Sequence, residues 1–350
     1  MANWVPEGLH LLVHYRPNAI LALVATSACV LIHSHPPGGA TMLSVRNGHS
    51  MVYDSDRRVV VLFGGADATH VCGDTWQWDG ERRVWLLVTA EGPEPRTFAA
   101  FAYDERRHEA ILFGGNRVLF GKGDQGDTFL ADTWRLRKKR WMRIETVGPS
   151  PRAEAAMAYD QDRERVVLFG GYRRIRGVTE RLGDTWEWDG EQWNKLAVDG
   201  PTPRNGAALT YDARKRRLVL FGGPGPSNET WEWDGHRWTL LQVSDVPGRF
   251  NPVMTYDMRL GAVVRFGGWT GKERTGDTWV LGYAGWALLD VAGPSARNHA
   301  AIVYDRLRRR AVLFGGHDGE NVFGDTWEWD GATWTRAAFV APEKRVDNGH

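Results

Sequence analysis

The sequence predicts an all-β protein of six similar four-stranded sheets set radially, each packing on two neighbours. Three observations carry this. The string Phe-Gly-Gly recurs at Phe63, Phe113, Phe169, Phe221, Phe266 and Phe314, at spacings of 50, 56, 52, 45 and 48 residues. Each copy closes a β-branched apolar run such as VVVLFGG or LVLFGG. The chain of 350 residues also holds 18 Trp, and 16 of them stand at the repeated framework positions. One sheet carrying large aromatics on both faces cannot bury them alone, whereas sheets leaning on one another in a ring can.

The elements follow in the same order in every copy. An Arg opens each repeat: Arg46, Arg96, Arg152, Arg204, Arg249 and Arg297. A short apolar stretch then ends in Tyr-Asp, at Tyr53, Tyr103, Tyr159, Tyr211, Tyr256 and Tyr304. An Asp there suits a turn, because its carboxylate can accept from its own backbone. After a basic turn comes the Phe-Gly-Gly strand, whose paired glycines allow positive φ or close backbone approach. A loop of variable length leads to Gly-Asp-Thr-Trp at 73, 183, 276 and 324, ADTW at 131 and NETW at 228. Trp-Asp-Gly follows in four copies, a hairpin signal between two Trp-bearing strands. The unit closes on Trp85, Trp141, Trp193, Trp238, Trp286 or Trp334. These runs of four to eight residues, bounded by Gly, Asp and Pro, read as strands, and no window shows a helical period.

A double Gly after an apolar strand, then a separated aromatic, then a Trp, in units near 50 residues, resembles the kelch repeats. The Gly-Asp-Thr-Trp-x-Trp-Asp-Gly form is similar to bacterial kelch proteins often labelled galactose-oxidase-like. The resemblance implies a six-bladed kelch β-propeller, four antiparallel strands per blade, around a central channel. It covers residues 46–338, with blades at 46–88, 96–144, 152–198, 204–243, 249–289 and 297–338. Both terminal blades are complete in sequence, so closure needs no strand shared between the ends. The polar tail 339–350 is expected to fray.

Residues 1–45 fit no repeat. Ala19–Ile32 is uncharged over 14 residues, short for a membrane span but apt for a signal-peptide core. Thr26-Ser27-Ala28 before Cys29 loosely resembles a lipoprotein cleavage box, which would put a lipid anchor on Cys29 and the protein in the periplasm or outside the cell. The alternatives are a true start at Met42, which would leave a cytoplasmic protein, or a segment that packs on the propeller.

Charge and cysteine content narrow the function. With 44 Lys+Arg against 43 Asp+Glu the formal charge is +1, which argues against a dedicated nucleic-acid binder. Two Cys exclude a disulfide scaffold or a Cys-based zinc module. The loops between second and third strands contain 8, 16, 12, 5, 8 and 8 residues. In a kelch blade they share one face with the connections to the next blade, and length variation there is what a ligand-facing rim shows. Tyr172, Arg174, Trp269 and His317 on these loops are candidate contacts. The six opening arginines have two readings. They form a cationic collar at the channel mouth for an acidic peptide or carboxylated sugar, or each pairs with the acid of its own Gly-Asp-Thr-Trp motif (Asp74, Asp132, Asp184, Glu229, Asp277, Asp325). His70, Cys72 and His317, on the loops of blades 1 and 6, are a candidate metal set, although no tight ligand spacing supports it.

Gly121–Gly126 matches G-x-G-x-x-G but lies between two strands, where it cannot cradle a pyrophosphate at a helix start. A copper-radical oxidase needs a Cys cross-linked to Tyr, and the sole repeat-region Cys is Cys72 on a rim loop. No cofactor is expected. The reading that results is a non-enzymatic scaffold binding a protein, peptide or glycan on the loop rim. The alternative is a carbohydrate-active enzyme of the kelch mutarotase or epimerase type, with the collar arginines and rim acids such as Glu180 or Glu320 around an acidic sugar.

Overall fold

A computed structural model describes residues 42–119, 128–225, 227–241, 246–340 and 343–344. The described chain is a six-bladed β-propeller without helices. Blade 1 shows the plan: Ser50–Asp54, Val59–Phe63, Thr75–Asp79 and Val84–Thr89 pair antiparallel in sequence order. The other five sheets repeat it. The first strands, Ser50–Asp54, Ala100–Asp104, Ala156–Asp160, Ala208–Asp212, Val253–Asp257 and Ala301–Asp305, contact one another in a ring around the channel. No blade borrows a strand from the other terminus.

Phe-Gly-Gly and Gly-Asp-Thr-Trp hold the ring together. The second glycine N–H of each pair donates to the carbonyl of the next blade's Arg at 2.8–3.0 Å, from Gly65 to Arg96 around to Gly316 and Arg46. The first glycine lies too close to that carbonyl for any side chain: a Cβ on Gly64, at φ +66°, would sit 2.7 Å from the Arg96 oxygen. The closing Trp of each blade packs on the preceding blade's Phe, as Trp141 does on Phe63 at 5.0 Å and Trp85 on Phe314 at 5.3 Å. Its indole N–H donates to the Thr of that blade's Gly-Asp-Thr-Trp. The six bonds, Trp85–Thr326, Trp141–Thr75, Trp193–Thr133, Trp238–Thr185, Trp286–Thr230 and Trp334–Thr278, measure 2.9–3.0 Å. Ring closure between blades 6 and 1 therefore uses the same contacts as every other seam.

The turns follow the sequence. Asp54, Asp160 and Asp212 accept backbone N–H groups two or three residues on, and so do Asp79 and Asp189 of Trp-Asp-Gly. Two features differ from expectation. The 12-residue loop of blade 3 is a hairpin, Tyr172–Ile175 with Val178–Arg181, and in blade 5 the strands Ala262–Trp269 and Arg274–Gly282 run through the loop region. The tail does not simply fray: Glu343–Lys344 pairs with Asn321–Val322 of the blade 6 loop, whose open edge offers free backbone partners. The signal, lipid-anchor and cleavage readings of the N-terminal segment fall on residues 1–41, outside the described residues, as does Gly121–Gly126. Among the described residues no helix is long and apolar enough to cross a membrane.

Candidate functional site

The six arginines do not line the channel. They are 1–4% exposed, and each guanidinium is occupied inside its own blade. Arg46–Asp74 (2.7 Å), Arg96–Asp132 (2.6 Å), Arg152–Asp184 (2.6 Å) and Arg297–Asp325 (2.5 Å) are bidentate, and Arg249–Asp277 (2.6 Å) and Arg204–Glu229 use one nitrogen. Five of them also donate to the first glycine carbonyl of their own blade. The same acids accept the indole N–H two residues on, from Trp76 to Trp327. Burial alone would raise these carboxyls. The guanidinium and indole donors overcome it and hold all six below the usual carboxylate range. Each Arg thus joins two blades, by its backbone to the blade before and by its side chain to its own.

Blade 5 departs from the pattern. Arg265 stands where the other blades carry Leu62, Leu112, Leu168, Leu220 and Leu313. It is fully buried against Phe221, Trp279 and Trp286, 3.7 Å from Asp277, and only its Nη1 donates, to the Pro247 carbonyl at 3.2 Å. Burial lowers its pKa to about 9.

The channel mouth on the loop face is built from the residue two places after each Arg: Gly48, Phe98, Glu154, Gly206, Asn251 and His299. All six have left-handed φ of 51–62°. Backbone bonds step from blade to blade: Gly48 N–H to His299 O, Phe98 to Gly48, Glu154 to Phe98, Gly206 to Glu154, and Asn251 to Gly206. The Phe98 ring lies over Gly48 and Asn251 over Gly206, where a Cβ would collide with them. Glu154 and His299, from opposite blades, meet in the middle with Oε1 and Nε2 3.5 Å apart. Asn205 donates to Glu154 at 2.6 Å, the Asn251 amide nitrogen lies 2.6 Å from His299 Nε2, and His299 Nδ1 lies 2.8 Å from His317 Nε2. A cavity of about 120 Å³ adjoins this plug, and His49 also lines it. Burial and then Arg46 lower His49 to about 3, so it stays neutral. At the other end a cavity of about 220 Å³ lies inside the ring of six tyrosines, and Glu105 and Arg306 pair across it at 2.5 Å.

The remaining candidates separate. Tyr172 is buried at the base of the blade 3 hairpin, edge-on to Phe129 at 5.3 Å. Arg174 and Trp269 are partly exposed on their hairpins. His317 is buried in the plug. His70 is exposed beside Asp67 and Thr69, and burial raises the Cys72 thiol to about 11, away from the thiolate a metal needs. No group of three His, Cys, Asp or Glu able to hold a metal ion occurs among the described residues, so His70, Cys72 and His317 do not form one. Glu180 is engaged by Arg173 at 2.7 Å, and Glu320 is exposed.

His317 was a candidate on its loop, whereas Phe98, Glu154 and Asn251 of the plug were missed from sequence. The signal was present: two places after each invariant Arg, the residue changes in almost every copy.

Comparison with known proteins agrees with this architecture. The family profile described as the KLHDC2/KLHL20/DRC7 Kelch-repeats domain matches residues 30–223 and 163–345. The flagellar outer-arm dynein alpha chain of Chlamydomonas reinhardtii is 30% identical over 151 residues, 41% of this chain and 3% of that protein. Kelch domain-containing protein 10 of Xenopus laevis is 23% identical over 193 residues, 51% of this chain. The chain covers 45% of that second relative, so it spans less than half the length of either. With the profile matching from residue 30 to residue 345 and six blades fastened by the repeat's own residues, the chain belongs to the kelch-repeat family.

Proposed function

We propose that the chain is a non-enzymatic interaction scaffold that takes a protein or peptide partner on the loop face, through the rim of loops between second and third strands. One observation carries this reading. Arg, Asp, Thr, Trp and Gly repeat their contacts around the ring, while the loops on this single face differ in length and form. The blade 3 hairpin exposes Ile175 (45%) and Val178 (69%) beside Arg174 and Arg176, and the blade 5 hairpin carries Trp269. Apolar tips flanked by cations suit a protein surface, where a few desolvated anchors carry most of the binding energy. Kelch propellers typically bind proteins, which supports the same reading. The opening arginines serve the frame in this proposal, and recognition falls to Arg174, Ile175, Val178 and Trp269.

The test is to replace 173–180 by a two-residue turn and to shorten 270–273, then compare captured partners quantitatively. Loss of a partner with an unchanged melting temperature supports the proposal. Unchanged capture by both variants refutes it.

A further inference from the structure

The end of the channel away from the loop rim carries a set of residues that the frame does not account for. Two places after each Tyr stands a residue that differs in all six blades: Ser55, Glu105, Gln161, Ala213, Met258 and Arg306. The Tyr and the Asp just before it are the same in all six. A position that served the frame would repeat, as the Arg–acid pairs do. All but Ser55 line the cavity of about 220 Å³ inside the ring of tyrosines. Tyr53 and Tyr159 fasten its wall, their hydroxyls accepting the backbone N–H groups of Leu307 and Arg106 at 3.2 Å. Besides the tyrosines the lining is largely apolar and includes Met157, Leu209 and Ile302.

Glu105 and Arg306 are the only charged residues in this lining. They reach from blades 2 and 6 to meet at 2.5 Å, and neither has a second ion-pair partner among the described residues. Other turn cations at this end are tied to acids outside the cavity: Arg107 to Asp104, Arg163 to Asp160 and Arg308 to Glu328. The Arg306 and Glu105 side chains are 34% and 28% exposed. A pair so open to water is weak, so a ligand that supplies both charges parts it at little cost. The cavity has the liquid volume of about seven waters, below the roughly 300–1,000 Å³ of sites for drug-sized ligands. It therefore suits one small molecule with an apolar body and a charged head.

We propose that this end of the channel binds a free α-amino acid with an apolar side chain. Its carboxylate takes the Arg306 guanidinium and its ammonium the Glu105 carboxylate, so each charge of the parted pair meets an opposite one. Its side chain enters the cavity among the tyrosine rings, Met157, Leu209 and Ile302, where burial of apolar surface supplies the driving force. A simple acid would leave Glu105 without its cation, and a simple amine would leave Arg306 without its anion. The mouth thus selects for the zwitterion. The site lies at the opposite end from the loop rim and does not depend on the scaffold reading, so either can fail without the other.

The experiment is isothermal titration of the full chain with glycine, L-leucine, L-methionine and L-phenylalanine. For the tightest of them, the amine lacking the carboxylate and the acid lacking the ammonium are titrated as well. At least one of the three apolar amino acids should bind with a dissociation constant below about 1 mM. Glycine and both single-charge analogues should bind at least tenfold more weakly. Glu105→Gln and Arg306→Gln should each weaken binding at least tenfold with the melting temperature unchanged, because the pair is exposed and stands off the frame. Thr210→Phe, on the cavity wall, should fill the space and abolish binding. If a variant does not fold, the analogue series on the unmodified protein decides alone. No binding by any of the three, an analogue that binds as tightly as its amino acid, or full binding by Glu105→Gln and Arg306→Gln would each overturn the site.

Discussion

Replacing the Thr of Gly-Asp-Thr-Trp by Val, one blade at a time, tests the seams of the ring directly. Each Thr→Val change keeps the shape and removes the hydroxyl that accepts the next blade's indole N–H. The structure sorts the six positions into two groups. Trp193, Trp238 and Trp334 are buried, so Thr133→Val, Thr185→Val and Thr278→Val leave an N–H with no acceptor and no water. An orphaned buried donor costs about 1–3 kcal/mol. Trp85, Trp141 and Trp286 are partly exposed, and solvent can replace the hydroxyl in Thr326→Val, Thr75→Val and Thr230→Val. Those should cost under about 1 kcal/mol, the net worth of an ordinary hydrogen bond. Urea unfolding with m held constant reads the difference. Six equal costs, or larger costs in the exposed group, would refute the claim that these bonds, graded by burial, fasten the blades.

Three further outcomes follow from the same contacts. Arg265→Leu restores the residue the other blades carry. Burial lowers the guanidinium's pKa to about 9, and exchanging a poorly satisfied buried cation for an apolar side chain of similar volume is worth about 1–4 kcal/mol. The variant should gain about 2 kcal/mol in a denaturant melt, and a loss of stability would show that the cation is needed. Gly64→Ala forces a Cβ to 2.7 Å from the Arg96 carbonyl at positive φ, whereas Gly177→Ala, at φ +80° in open space, meets only backbone strain. The first should cost more than about 2 kcal/mol and the second about 1 kcal/mol, and thermal melts giving equal effects would contradict the close approach. The six framework carboxyls are held below their unfolded values, so their stabilisation is complete above about pH 5 and is lost as pH falls through their folded values. Stability should decline below about pH 5, and Asp184→Asn should flatten that decline; a profile unchanged by the substitution would remove the linkage.

Most of the frame was legible in the sequence because its partners recur in lockstep. Arg46 and Asp74 could be paired on paper since every blade repeats both. Tyr-Asp and Asp-Gly announced turns whose chemistry is local. The Thr–Trp seams were not read, although Thr is present in all six copies, because donor and acceptor sit in different blades more than 50 residues apart. The blade 3 hairpin was hidden because YRRIRGVTER carries no apolar alternation: its strands pair in the open, with Ile175 and Val178 exposed. Glu154 and His299 meet across the full width of the channel, a juxtaposition that depends on there being six blades. Arg265 drew no comment in sequence, and only packing reveals it as a charge buried among Phe221, Trp279 and Trp286.

The division of labour between an invariant frame and one variable face is tested most directly by a hydrogen-exchange footprint of the full chain bound to a captured partner. Protection should appear at 172–181, 269–274 and 317–322, with the tyrosine-bearing end of the channel unchanged. A footprint on the turns after Tyr53, Tyr103 and Tyr159, or on the outer strands, would place recognition elsewhere and contradict the account.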